Sequence, residues 1–275
     1  MSQQTPPPDI TKMKVVYDVP GTDAVTVRAD VEFRAADGGA LAMDLYYPPA
    51  SKSGSRLPVV VVVVGYSDVG VQKMLGCRFK EMASAVSWGR LIAASGMVAI
   101  TYTNREPQGD LRALTAHVRE NAASLGIDEK RIGIWSSSGN VPVALSMLMQ
   151  SDAKDMRCAV LCYGYMLDLR GATGVADAAA QFRFVNAAAG KSVDDLPAKL
   201  PLFLARAGQD QFAHLNESLD AFIAGALTRN LPVTVVNHAD GPHAFDLLHD
   251  SEATREIIRQ MLGFMQFHLQ AWGSK

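Results

Sequence analysis

The stretch Leu57-Pro-Val-Val-Val-Val-Val-Val-Gly65 contains six consecutive valines. A continuous β-branched run of this length is typical of a strand that is buried on both faces of a sheet. Such a strand needs helices above and below it, because a solvated face would carry a polar residue at every second position. The valine run therefore predicts an α/β protein with a mostly parallel sheet at its centre.

Strand and helix patterns alternate from the valine run to the end of the chain. Apolar runs predict the strands, and apolar residues at helical spacing predict the segments between them. Further strands are predicted over Met97–Thr103, Arg131–Trp135, Cys158–Tyr163, Leu202–Ala205 and Val233–Asn237, and helices over Phe79–Ser95, Leu111–Leu125, Val141–Gln150, Leu215–Thr228 and Glu252–Trp272. Each connection is long enough for a right-handed crossover between parallel strands.

Two segments before the valine run have a different pattern. Val25–Arg34 and Leu41–Tyr47 alternate apolar and polar residues, and they flank the turn residues Asp37-Gly-Gly39. This arrangement is typical of a hairpin with one solvated face. We expect these two strands to be antiparallel and to lie at an edge of the sheet.

Composition narrows the organisation and the partners of the chain. It has 275 residues, of which 48% are hydrophobic, and a formal net charge of −2, so core material is ample. We predict a flexible segment over residues 1–24 and a single domain over 25–275, with a short lid insert at about 166–200. Basic residues are scattered and no apolar run is long enough for a membrane helix, so neither nucleic acid nor a membrane is an expected partner. The N-terminus lacks the pattern of a secretory signal, which predicts a cytoplasmic location.

The first candidate for chemistry lies in Arg131-Ile-Gly-Ile-Trp-Ser-Ser-Ser-Gly-Asn140, a strand that runs into a serine-rich turn and a helix. Ligands of parallel sheets bind beyond the carboxyl ends of the strands. A nucleophile on a sharp strand-to-helix turn needs small neighbours two positions away, which favours Ser138 over Ser137, because Trp135 precedes Ser137 by two positions. The helix would direct its N-terminus and the Gly139 N–H toward developing negative charge. The alternative is that these serines only cap the helix.

Two other strand ends supply a histidine and a carboxylate. His243 follows the last predicted strand, and an imidazole accepts a proton near neutral pH, so it is the candidate general base. Asp210 follows the strand Leu202–Ala205 and is the candidate that orients the imidazole and stabilises its protonated form. Asp240 and Asp246 rank second, because they lie so close to His243 in sequence that the loop would have to fold back on itself. The alternatives are a solvent-facing histidine and an aspartate that only caps a helix.

The loop after the valine strand, Gly65-Tyr-Ser-Asp-Val-Gly70, is predicted to supply a second N–H donor for an oxyanion. Backbone N–H groups suit this role because they are fixed before the reaction begins. Tyr66 is the first choice for the donor and Ser67 the second. Ser67, Tyr163 and Tyr165 are predicted to contact the substrate. The alternative is an ordinary turn in which Tyr66 only lines the pocket wall.

From about Arg28 to its C-terminus, the chain resembles the α/β-hydrolase superfamily, and within it the esterase and dienelactone-hydrolase-like group. Four segments carry the resemblance: Val59–Gly65 with its following loop, Arg131–Asn140, Gly208–Asp210 and Gly241–Phe245. The resemblance implies the α/β-hydrolase fold, with antiparallel strands at the N-terminal edge of a mostly parallel sheet and helices on both faces.

The resemblance also implies roles for individual residues. Ser138 would be the nucleophile, Asp210 the acid and His243 the base, with oxyanion donors from Tyr66 and Gly139. We therefore expect a serine hydrolase that cleaves small carboxylic esters through an acyl-enzyme, with no metal or organic cofactor and a small-molecule ester as its partner. A peptidase or thioesterase on the same fold and a catalytically silent member that binds a small molecule are the alternatives. The sequence leaves open whether a homodimer forms through the C-terminal helix.

Overall fold

The computed structural model describes residues 9–49, 56–150 and 155–270, and these ranges contain eight strands in one sheet. The strands are β1 Thr26–Arg34, β2 Ala40–Tyr47, β3 Leu57–Val62, β4 Val98–Tyr102, β5 Ile127–Ser137, β6 Met156–Cys162, β7 Leu202–Ala207 and β8 Val233–His238. Their order across the sheet is β1-β2-β4-β3-β5-β6-β7-β8. β1 pairs antiparallel with β2, and β2 pairs antiparallel with β4, whereas the remaining pairs are parallel.

Eight α-helices connect and cover these strands within the described part of the chain. They are α1 Asp68–Leu75, α2 Ala83–Ala94, α3 Pro107–Glu120, α4 Val141–Leu148, α5 Gly174–Phe182, α6 Leu215–Thr228, α7 Phe245–Leu248 and α8 Glu252–His268. Apolar residues of α3, α4 and α6 pack on one face of the sheet, and those of α2 and α8 pack on the other. Among the helices of the described residues, none has both the length and the apolar character that crossing a bilayer requires.

The valine run is buried on both faces of the sheet. Val59 and Val61 belong to the core beneath α3, α4 and α6, whereas Val60 and Val62 belong to the core beneath α2 and α8. None of the six valines is more than 2% exposed. Each valine side chain has a helix layer to pack against, which is why the strand carries no alternating polar residues.

Some predicted boundaries differ from the structure. Helix α3 begins at Pro107 rather than at residue 111, because the Glu106 side chain accepts the Gly109 N–H and proline suits the first helical position. The predicted helix Phe79–Ser95 begins as α2 at Ala83, after a short 3-10 turn. The three helices α1, α5 and α7 were not separately predicted, because each has fewer than ten residues and presents too few turns for a clear apolar period.

Part of the N-terminal segment packs against the domain. Residues 1–8 of the predicted flexible segment lie outside the described residues. Beyond them, the Val15 N–H donates to Ser87 Oγ at 3.1 Å, and the Val16 N–H donates to the Asp246 carbonyl oxygen at 2.8 Å. The Val15 side chain is buried. These contacts join the described part of the segment to α2 and α7.

Candidate active site

Ser138 lies on a sharp turn between β5 and α4. It directly follows the last residue of β5 and has a φ of 54°, in the left-handed region that residues with a Cβ rarely adopt. A Cβ on Gly139 would lie 2.4 Å from the Tyr66 hydroxyl oxygen and 2.8 Å from the Phe184 ring, so the next position has no room for a larger residue. The turn therefore presents Ser138 at the carboxyl edge of the sheet, in the strand-turn-helix arrangement of a nucleophile.

Three side chains from three different strand ends form a continuous hydrogen-bonded chain. Ser138 Oγ lies 2.9 Å from His243 Nε2, and His243 Nδ1 lies 2.7 Å from Asp210 Oδ2. The Asp210 side chain is fully buried, and its other carboxylate oxygen accepts the Phe212 N–H at 3.0 Å. In this geometry the carboxylate fixes a proton on Nδ1, which leaves Nε2 free to accept the serine proton.

Two aromatic rings hold the imidazole of His243. The Tyr163 ring lies edge-on to it with centroids 5.0 Å apart, and the Phe212 ring lies edge-on at 4.5 Å. Edge-to-face contacts of this kind are favourable and fix the plane of a ring. The imidazole is thus held by Asp210 at one nitrogen and by packing on its flanks.

The two alternative carboxylates do not bond to the imidazole. Asp240 is exposed, whereas Asp246 is buried and accepts hydrogen bonds from Trp88 Nε1, at 2.8 Å, and from the Tyr163 hydroxyl. Burial raises the pKa of Asp246 from its usual value. The structure therefore brings Asp210, the candidate furthest from His243 in sequence, to its ring nitrogen.

The loop after β3 approaches the elbow closely through Gly65. The Gly65 N–H donates to Asn140 Oδ1 at 2.7 Å, and its carbonyl oxygen accepts the Val185 N–H at 2.8 Å. A Cβ on Gly65 would lie 2.5 Å from the Gly139 carbonyl oxygen, so only glycine permits this approach. Within the described residues, neither the Tyr66 N–H nor the Gly139 N–H donates to a protein acceptor. Both groups are free to bind an oxygen atom of a ligand.

Several solved esterase structures are similar to this chain over most of its length. The thermostable esterase from Pseudomonas putida ECU1011 is 17% identical, with a TM-score of 0.70 over 94% of this chain and 86% of that one. Brefeldin A esterase, a bacterial homologue of human hormone-sensitive lipase, is 14% identical, with a TM-score of 0.71 over 95% and 82%. The hyperthermophilic esterase from the archaeon Pyrobaculum calidifontis is 19% identical, with a TM-score of 0.66 over 90% and 87%. No protein-family model matches the chain, and no curated protein matches its sequence.

This chain has the α/β-hydrolase fold. The predicted fold class is confirmed, including the antiparallel strands at the N-terminal edge of the sheet. At this level of sequence identity the similarity shows the fold alone. The chemistry of this chain must therefore be argued from its own site residues.

A cavity of about 260 Å³ adjoins Ser138 and His243. Most of its lining is apolar, and the lining residues come mainly from β3, α1, α2 and the loops at the carboxyl ends of β5, β6 and β8. Pockets of this kind, apolar with a few convergent polar groups, are typical of small-molecule sites. Ser138 and His243 both line this cavity, so it offers binding space beside the Ser138 hydroxyl.

Of the three residues predicted to contact the substrate, Tyr163 lines this cavity, whereas Ser67 and Tyr165 do not. Ser67 precedes α1, which the sequence did not predict, and its carbonyl oxygen accepts the first helical N–H groups. The Tyr165 hydroxyl donates to the Ala213 carbonyl oxygen at 3.1 Å, and its ring stacks on Phe184. The Ser67 carbonyl group and the Tyr165 side chain hold neighbouring loops, and the role of these two residues as substrate contacts stays a prediction.

Sequence reasoning also missed residues that shape the site. Asn140 stands where the turn of this fold usually has glycine, and its side chain ties the turn to the Gly65 loop. Trp88 packs against Trp135 with ring centroids 4.4 Å apart, and both rings line the cavity. The Trp-Ser-Ser-Ser run contained a signal for Trp135, because a tryptophan at a strand end next to a candidate nucleophile is placed to form a pocket wall.

Proposed function

We propose that this α/β-hydrolase is a serine-dependent hydrolase that cleaves carboxylic esters of small molecules through an acyl-enzyme. The observation that carries the proposal is the unbroken chain of hydrogen bonds from Ser138 through His243 to Asp210. A hydroxyl, an imidazole and a buried carboxylate in this order are the groups that acyl transfer requires. The similarity to structures of named esterases agrees with this chemistry.

Acylation begins when Ser138 Oγ attacks the ester carbonyl carbon and His243 Nε2 takes its proton. Asp210 stabilises the imidazolium that forms, while the N–H groups of Tyr66 and Gly139 bind the negative carbonyl oxygen. The bond between the carbonyl carbon and the alcohol oxygen then breaks. His243 returns its proton to the leaving alcohol, and the acyl group remains on Ser138 as an ester.

Deacylation repeats these steps with water as the nucleophile. His243 Nε2 takes a proton from the water, whose oxygen attacks the acyl carbon. The second tetrahedral intermediate collapses, the bond to Ser138 Oγ breaks, and His243 returns the proton to that oxygen. The products of the full cycle are an alcohol and a carboxylic acid, the free enzyme is restored, and water is the only co-substrate.

Active-site labelling tests the nucleophile. We expect a fluorophosphonate probe to form one adduct, on Ser138, and the Ser138→Ala variant to lose both the adduct and at least about 10³-fold in kcat/KM on p-nitrophenyl acetate. Ser124→Ala removes an exposed serine that does not line the cavity and is the matched control, which should keep both. A protein that takes no label would be a silent binding member instead, and Ser138→Ala with full activity would refute the assignment.

The leaving group separates ester hydrolysis from the alternatives. The experiment measures kcat/KM of the purified protein for an ester, a thioester and an amide that carry the same acyl group, and compares the three values. We expect the ester to be hydrolysed at least as fast as the thioester and far faster than the amide. A protein that prefers the amide would be a peptidase on the same fold.

A further inference from the structure

The cavity beside Ser138 has no free charge. Among the described residues that line it, none is lysine or arginine, and the one carboxyl group belongs to Asp246. Both oxygens of that carboxyl already accept hydrogen bonds, from Trp88 and Tyr163. A charged substituent would enter without a partner and would lose its hydration, at a large cost in free energy. The lining therefore selects an uncharged group.

The size of the cavity matches a ring. A dry apolar cavity of roughly 150 Å³ in another protein is known to bind benzene. The cavity described here measures about 260 Å³ and so has room for a ring with a short linker to the reacting carbonyl. The paired rings of Trp88 and Trp135 form part of its wall and offer aromatic surface for stacking.

The mouth of the cavity is apolar as well. Ile10, Met74 and Leu75 line it, and all three side chains are exposed to solvent. Neighbouring exposed apolar residues mark a surface that apolar ligands or partners contact. This apolar surface leads into the cavity beside Ser138. We therefore expect it to contact a ligand that enters the cavity.

We infer that this cavity binds an uncharged apolar substituent of about the size of a phenyl ring, carried on the acyl or the alcohol side of the ester. The inference rests on the proposed ester hydrolysis and names its substrate class. The substituent is buried against Trp88, Trp135 and Val62 while the ester carbonyl lies at Ser138. Burial of a group of this size raises kcat/KM for a ring ester over a methyl or ethyl ester.

Five simple esters test the inference on the purified protein by pH-stat. Ethyl acetate is the reference, ethyl phenylacetate carries the ring on the acyl side, and benzyl acetate carries it on the alcohol side. We expect one of the two ring esters to exceed ethyl acetate in kcat/KM by about tenfold or more, and the one that does so identifies the side of the ester that the cavity binds. Monoethyl succinate carries a carboxylate, and we expect slower hydrolysis than for ethyl butyrate, its uncharged match.

A matched pair of variants in α1 links the preference to the cavity. Val71 is buried and lines the cavity, whereas Val69 is 52% exposed and does not line it. We expect Val71→Phe to fill the cavity and lower the ratio of kcat/KM for the ring ester to that for ethyl acetate by about tenfold. Val69→Phe should leave this ratio unchanged. Ala85→Val narrows the cavity from α2 with a smaller change of volume, and it replaces Val71→Phe if that variant does not fold.

The outcomes separate this inference from the proposed function. If none of the esters is hydrolysed, the proposed function fails. If ethyl acetate is hydrolysed but a ring on either side brings no gain, the substrate class is wrong and ester hydrolysis still stands. A ratio that stays at its wild-type value in folded Val71→Phe or Ala85→Val likewise overturns the assignment of the cavity.

Discussion

The amino ends of β4 and β5 differ from the carboxyl ends of β5, β6 and β8 in the residues that hold the left-handed backbone conformation. At the amino ends, Gly96 precedes β4 and Gly126 precedes β5, both with positive φ and with open space where a Cβ would lie. At the carboxyl ends the same conformation is held by Ser138 after β5, Tyr163 after β6 and Ala244 beyond β8. Glycine adopts this conformation without steric cost, but the other three residues do not.

This difference means that the three residues at the carboxyl ends carry backbone strain. A non-glycine residue in such a conformation costs of order 1–3 kcal/mol and persists only where its surroundings fix it. Ser138 is fixed because its carbonyl oxygen accepts the Val141 and Tyr165 N–H groups, and Tyr163 is fixed because its N–H donates to the Ala205 carbonyl oxygen at 2.7 Å. These three residues lie around the imidazole of His243, so backbone strain is present at the candidate active site. Five other non-glycine residues among those described also have positive φ: Asp30, Arg170, Arg183, His214 and Asn230.

The largest effect is expected from two variants of Ser138. Ser138→Ala and Ser138→Gly both lack the hydroxyl, and each should lower kcat/KM by at least about 10³-fold. The glycine variant should nevertheless be more stable than the alanine variant by about 1 kcal/mol, because only glycine relieves the left-handed strain. The measurement is the free energy of unfolding in urea for the two variants.

Equal stability of the two variants would show that the turn holds no strain at this position. A matched reference pair is Ser124→Ala and Ser124→Gly. Ser124 is not among the residues with positive φ, so alanine is expected to be the more stable of that pair.

The second expected effect is a pH dependence of stability that comes from the buried carboxyl group of Asp246. Burial raises the pKa of Asp246, so the folded chain holds this proton more tightly than the unfolded chain does. The resulting stabilisation is complete below the unfolded pKa of about 3.9 and is lost as pH rises through the folded-state value. The free energy of unfolding of the wild type minus that of Asp246→Asn should therefore fall with rising pH, by up to about 1.4 kcal/mol per pH unit.

Urea unfolding of both proteins between pH 4 and pH 8 gives this difference. Asp240→Asn changes an exposed carboxylate in the loop before α7 and is the control. A difference that rises with pH for Asp246→Asn would show that the hydrogen bonds from Trp88 and Tyr163 outweigh burial. Burial of the Asp246 carboxyl group would then not destabilise the fold at neutral pH, and the backbone strain at the carboxyl ends of the strands would remain.

Much of the site could be predicted because each of its members has a local signal. Ser138, Asp210 and His243 each follow an apolar run, and parallel strands bring their carboxyl ends to one edge of the sheet. The valine run gave the fold class for a similarly local reason, since both its faces had to be covered. The geometry that joins the three residues then depends on β5, β7 and β8 lying near one another in the sheet, an order that the structure shows.

The features of the site that the sequence did not predict depend on contacts between distant segments, for which no local pattern exists. Trp88 and Asp246 meet although they are 158 residues apart, and Asn140 reaches Gly65 across 75 residues. Ser67 and Tyr165 were assigned to the substrate from their place on strand-end loops alone. Their side chains or carbonyl groups are used in loop contacts that only the folded chain brings together.

The smallest expected effect tests the amino ends of the strands. Gly96→Ala and Gly126→Ala meet no steric obstacle, so their cost comes from the left-handed backbone alone and should be about 1 kcal/mol each. Gly263→Ala is the matched control, since this exposed glycine lies within α8 with open space around it and should gain about 1 kcal/mol as alanine. Opposite signs in urea unfolding would confirm that glycine removes strain at the amino ends of β4 and β5. The same sign for all three variants would mean that backbone conformation does not distinguish these positions, and the contrast with Ser138, Tyr163 and Ala244 would lose its physical basis.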